Sequence, residues 1–166
     1  PWRVADEVMN EHLAGTYLAY LELAGEEEGA FLEPDWMNYV DRLQDHLMQQ
    51  SNVGGTSSVV DVLEKVQYEL LARAEGSNAL VQTREGIAQY LFLYEMSGGS
   101  PDDLFKFITA GQDEINIWLQ MHEGDNQAVA SVVDAVRDWQ QDNPPPAGME
   151  TRWAGLSYIN IIWQDQ

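Results

Sequence analysis

The stretch that most constrains this fold is Asp113 to Gly155, where the hydrophobic period changes once and the chain then breaks on consecutive prolines. In DEINIWLQM, Ile115, Ile117, Leu119 and Met121 alternate with Asn116, Trp118 and Gln120, the period of two that marks a half-buried strand. GDN follows as a turn and cap, with Asp125 or Asn126 as N-cap. In NQAVASVVDAVRDWQQ, Val129, Val132, Val133, Val136 and Trp139 then fall three and four apart, one apolar stripe on a helix. Asn143 and Pro144 to Pro146 end that helix, because proline has no amide to donate and restricts the residue before it. METRWAGL resumes as a strand. A strand, helix, strand unit of this length suits parallel or next-but-one strands of one sheet.

The preceding chain repeats the pattern. TYLAYLEL alternates with apolar residues on both faces, as a central strand does, and Gly25 to Gly29 is an exposed acidic turn. Pro34 opens a helix with the stripe Trp36, Met37, Val40, Leu43, Leu47 and Met48. A short strand is expected within Asn52 to Thr56, with Gly54 and Gly55 making a tight turn. Ser57 or Ser58 caps a helix running to Leu71 along Val59, Val62, Leu63, Val66 and Leu70. Glu75 to Asn78 is a break, Thr83 to Met96 a further helix with Ile87, Tyr90, Leu91 and Tyr94 on one face, and Asp102 to Ile108 a short one. Trp2 to Leu13 reads as an amphipathic helix at the start. Two crossovers over one sheet predict a single α+β domain over 1–166, a ferredoxin-like split βαβ two-layer fold with a helical insertion at about 57–108 and a second βαβ unit at about 113–157.

The chain carries 28 acidic against 8 basic residues, a formal charge of -20, which argues against nucleic acid as a partner. A cation-rich or halophilic setting would screen such a surface. Without cysteine there is no disulfide, thiolate nucleophile or sulfur-ligated metal. No run is long and apolar enough to span a membrane. A chain starting at Pro1 and ending in WQDQ is expected to be a segment of something longer.

Little in the sequence points to catalysis. His12, His46 and His122 lie in separate elements without a ligand spacing, and His46 beside Asp45 is weighed as a helix-face histidine against an acid–base pair. Glu26, Glu27 and Glu28 lack the spacing of a calcium loop and read as a solvated turn. No catalytic residue, metal ligand or cofactor is expected. The aromatics are the better candidates. Trp118 is opposite the isoleucines, Trp153 is in the last strand, and Tyr90, Phe92 and Tyr94 make one helix apolar on more than one face. Such residues meet a partner domain, a second copy or a hydrophobic ligand, unless the inserted helices cover them.

Taken in order, WRVADEVMNEHLAGTYLAYLEL, EPDWMNYVDRLQDHL, VGGTSSVVDVLEKV, YLFLYEMSGG and WAGLSYINIIWQ resemble the extracytoplasmic loop of exporters of the resistance-nodulation-division superfamily, in the branch of MMPL-like and hopanoid transporters. The likeness is to the second large loop. It implies a porter domain at the outer side of a cell membrane, partnered by the other porter domain and by the membrane helices of the same transporter, with a homo-oligomer as an option. It further implies gating or passage of a hydrophobic or lipid-like substrate during proton-driven efflux, with Tyr90, Phe92, Tyr94, Trp118 and Trp153 as contacts to substrate or partner. The proton-relaying carboxylates of that family lie in its membrane part, so none is carried to this chain. By position, Val53 to Ser58 would form the turn into the inserted helices. Gly55 stands where the family's VGKTSS motif has lysine, so no charge-dependent role carries over to that turn. Two other readings remain at this point: an assembly domain that docks a partner without touching substrate, and a hydrolase built on a buried His46.

Overall fold

The computed structural model describes residues 15, 17–70, 82–97 and 101–155. The expected helix at Trp2 to Leu13, the break at Glu75 to Asn78 and the tail from Leu156 lie outside the described residues. Within them the order is β1 (Tyr17–Ala24), a 3-10 turn (Ala30–Leu32), α1 (Pro34–Met48), β2 (Val53–Ser57), α2 (Val59–Leu70), α3 (Arg84–Met96), α4 (Pro101–Phe105), β3 (Glu114–Met121), α5 (Asn126–Asp142) and β4 (Glu150–Ala154). It is a mixed α+β domain whose open four-stranded sheet runs β2-β3-β1-β4 with every neighbouring pair antiparallel. β1 and β2 therefore flank β3, and β3 and β4 flank β1, so both crossovers join next-but-one strands.

Alternation decides the faces. Ala19, Leu21 and Leu23 of β1 and Ile115, Ile117, Leu119 and Met121 of β3 are buried, and in register they form the floor of one core. Val40, Leu43 and Leu47 of α1 and Val129, Val132 and Val136 of α5 belong to the same core. Pro34 occupies the first turn of α1, and the Asp125 side chain caps α5 by accepting from the Ala128 amide at 2.9 Å. Tyr39 joins α1 to α5: it is fully buried, its hydroxyl donates to the Asn143 carbonyl at 3.0 Å, and its ring meets Trp139 at 5.4 Å.

Three features differ from the sequence reading. Gly54 and Gly55 lie in an edge strand rather than a turn, and the irregularity between Val53 and Gly55 is a bulge on the β2–β3 pair. The same holds for Val53 to Ser58 as the turn into the inserted helices: all but Ser58 of it is strand. Glycine supplied the turn signal, but pairing of Thr56 and Ser57 with Leu119 and Trp118 makes the strand. Met48 and Leu70 were expected in buried stripes yet are 48% and 52% exposed, each at the end of its helix.

Among the described residues, three helices stand between β2 and β3. Their attachment begins at Ser58, which is fully buried and gives its hydroxyl proton to Gln44 Oε1 of α1 at 2.7 Å. Gln44 Nε2 in turn donates to Asp61 Oδ2 at 3.0 Å, and Asp61 accepts the Ser58 amide at 2.8 Å. The second attachment is Arg84, at the start of α3, which donates to the Gly29 carbonyl at 3.1 Å and to Glu33 at 2.6 Å. Gly29 has φ 76°, in the left-handed region that favours glycine, and a Cβ there would meet the Arg84 guanidinium at 2.5 Å and displace it from its two bonds.

Candidate functional site

The five aromatic candidates fall on three separate surfaces. Tyr20 and Trp118 are directly opposed across β1 and β3, and Trp153 is opposite Leu21 across β1 and β4. Opposed residues of an antiparallel pair share a face, so Trp153 belongs to the core side and Trp118 to the other. Trp153 is packed against the core cluster. Tyr90, Phe92 and Tyr94 stand on α3. Tyr90 and Tyr94 are half-buried against the core, whereas Phe92 is exposed.

Trp118 is half-buried. Its indole N–H donates to the Lys106 carbonyl at 3.1 Å, its ring meets Tyr20 edge-on at 4.9 Å, and Phe107 approaches at 6.2 Å. The chain at the end of the inserted helices thus runs antiparallel alongside β3, with Ile108 bridged to Ile115 and the Asn116 amide donating to the Phe107 carbonyl, and it sets the Lys106 ammonium by the Phe107 and Trp118 rings. Leu18 beside it on the same face remains 41% exposed. Further along that face, Arg152 bridges Glu114 at 3.2 Å and Glu22 at 3.7 Å.

A largely apolar groove lies between α2 and α3. It has a volume of about 480 Å³ and is lined by Val66 and Leu70 from one helix and Leu93 and Tyr94 from the other, with Lys65, Glu69 and Ser97 at its polar parts. Tyr94 is the one sequence candidate it contains. Periodicity within α2 and α3 could not find the rest, since a groove depends on how two helices pack, but Phe92 and Met96, one turn apart on α3, were a readable sign of an outward apolar face.

Four carboxylates meet near the join of α1 and α2. Burial, then repulsion from Asp45 and Asp61, raises the Asp41 carboxyl above its ordinary 3.8. Burial, then Asp41, Asp61 and Asp45, raises Glu64 above 4.5. The sign follows from linkage. A carboxyl whose folded pKa lies above its unfolded one binds more protons when folded, so it destabilises at neutral pH, and the penalty is relieved as pH falls through the folded value. Asp41→Asn is accordingly expected to stabilise the protein at pH 7 by up to about 0.5 kcal/mol after solvent screening, and to have no such effect below the ordinary value. Urea titrations at both pH values and at two salt concentrations check this; a gain that persisted in acid would assign it to something other than charge.

His46 is half-buried on α1, stacked on Trp139 at 5.5 Å, with Nε2 3.1 Å from the Ala135 carbonyl. That carbonyl can only accept, so this nitrogen carries a proton, and the ring works as a tie between α1 and α5. The neighbours of this nitrogen are the Ala135 carbonyl and the Gln50 side-chain amide, neither an acid nor a nucleophile, so the geometry gives the hydrolase reading no support. Glu26, Glu27 and Glu28 rim a cavity of about 360 Å³ beside Arg84 and Trp36. Among the described residues no group of three or more histidine or carboxylate side chains is placed to hold a metal ion. Nor is any helix there long and apolar enough to cross a membrane.

No protein-family model matches the chain, and no curated protein matches it.

Proposed function

We propose that this chain is an extracytoplasmic porter-type domain of a resistance-nodulation-division exporter, a ferredoxin-like split βαβ fold that takes part in gating or passage of a hydrophobic or lipid-like substrate. The observation that carries the reading is the sheet order β2-β3-β1-β4 with two next-but-one crossovers and, among the described residues, three helices interposed between β2 and β3. That arrangement fits the porter topology which the ordered sequence resemblances imply. The domain would work by rigid movement against a second porter domain, as a gating element rather than a catalyst. The open part of the second sheet face, with Leu18, Tyr20 and Trp118, is the surface assigned to substrate.

A screen of lipids and hydrophobic compounds by native mass spectrometry, at low and high salt, tests this. Retention of one lipid class is expected, reduced at least about tenfold by Trp118→Ala and unchanged by Gln127→Ala, an exposed position on α5, which packs on the core side of the sheet. Binding of nothing at either salt, or binding indifferent to Trp118, would overturn the substrate role and favour an assembly domain that docks a partner alone.

A further inference from the structure

One edge of β3 is occupied along its whole length by β1, and the other is covered in two pieces that lie far apart in the chain. β2 pairs along that second edge as far as Ser57, which stands opposite Trp118. The chain returning from the inserted helices then takes it up: the Asn116 amide donates to the Phe107 carbonyl at 2.8 Å, Ile108 is bridged to Ile115, and the Thr109 amide donates to the Glu114 carbonyl at 3.0 Å. Both pieces run antiparallel to β3, so they point the same way, and on β3 only Ile117 lies between them. The alternation of faces carries across the break as well. Ser57 and Phe107 stand opposite Trp118 and Asn116 of the second face, while Ile108 is buried with Ile115 in the core. The edge is therefore one strand in two halves, and the chain from Ser58 to Lys106 leaves it and re-enters it at neighbouring positions.

From this register we infer that the inserted helices are one hinged unit that opens as a whole from an intact sheet, with Trp118 as the latch between its two stems. Opening gives up the core packing of Leu63, Ile87, Leu91 and Leu104 and the ties at Ser58 and Arg84, but it breaks no strand pairing. Its free energy then lies below that of global unfolding, as it does for a cooperative part of a larger fold. The latch sits where the ladder is interrupted. The Lys106 carbonyl accepts the Trp118 indole N–H at 3.1 Å and the Asn116 side-chain amide at 3.4 Å, two donors from one face of β3. Trp118 thus meets both stems at once, Ser57 as its partner in the ladder and Lys106 through its ring nitrogen. A unit joined to the body at two stems opens only when both give way, so weakening either stem raises the opening of the whole. The inference stands on strand register and does not rest on the exporter reading.

Native-state hydrogen exchange on the whole chain, read amide by amide, tests this. In the parent, the slowest amides of α2 and α3 should exchange through one shared opening, at least about tenfold more readily than those of β1. Trp118→Phe keeps an aromatic ring and removes the donor. It should speed exchange about three- to tenfold at Phe107 and Ile108, whose amides bond to the Leu104 carbonyl, and by the same factor in α2, at the far stem. Ser58→Ala weakens that far stem, so it should be felt at Phe107 and Ile108 as well as in α2, and it decides the question alone if Trp118→Phe does not fold. Val132→Ala supplies the opposite case. Val132 is buried on α5, and its packing survives while the insertion is open. Truncating it should speed β1 and α5 at least about tenfold and leave α2 and α3 unchanged. A stem lesion felt only at its own stem, or Val132→Ala speeding α2 and α3 as much as β1, would overturn the hinged unit. No change at either stem in Trp118→Phe would overturn the latch.

Discussion

Ile117→Ala is expected to cost about 3–4 kcal/mol in equilibrium urea unfolding, with Gln120→Ala, three residues along the same strand, within about 0.5 kcal/mol of the parent. Ile117 has no exposed surface, stands in β3 between β1 and β2, and is opposed to the equally buried Leu21. Truncating it removes three methyl or methylene carbons and leaves a cavity among Leu21, Leu119 and the helices above, which close packing prevents from collapsing fully. Gln120 points to the other face and is exposed. The contrast measures the assignment of faces itself. If both substitutions cost the same, β3 would not be one-sided in the way its alternation and register require, and the placement of Trp118 away from the core would fall with it.

The elements that were legible are those whose partners lie in regular structure of strict period. β1, β3 and α5 follow from alternation or from the i, i+3, i+4 stripe. The double apolar character of Tyr17 to Leu23 anticipates a strand with neighbours on both sides, as β1 has in β3 and β4. β2 is a weaker case. VGGTS has two glycines and no alternation, so nothing local makes it a strand beyond the room β3 leaves at its edge. Tyr39 was missed because it flanks the α1 stripe; its burial comes from α5, where Trp139 and the Asn143 carbonyl meet it across a hundred residues of chain.

The candidate surfaces were legible by residue type and not by position. Aromatic side chains could be counted as contact residues from the sequence, but only register separates Trp118 from Trp153, since one residue of slip exchanges the two faces of a strand. The acidic pairs Asp41 with Asp45 and Asp61 with Glu64 were visible at helical spacing. That they face one another depends on how α2 leaves β2, and this depends on Ser58.

Ser58→Ala should therefore destabilise the domain by about 2–3 kcal/mol, a large effect for the loss of one oxygen. The hydroxyl is fully buried and serves two partners: it donates to Gln44 Oε1 at 2.7 Å and accepts the Val60 amide at 3.0 Å. Alanine fits the space but leaves the buried Gln44 side-chain oxygen and the first turn of α2 without those bonds. Hydrogen exchange should show where the loss is felt. If Ser58 ties the inserted helices to α1, amides of α2 should lose more protection than those of α5, because the lesion opens the α1–α2 join before the whole fold. Gln44→Met breaks the same bond from the other side, so the double variant should cost less than the two single losses added, with a coupling of about 1–2 kcal/mol. Strict additivity, or equal loss of protection in α2 and α5, would mean that Ser58 stabilises the core generally and does not hold the insertion.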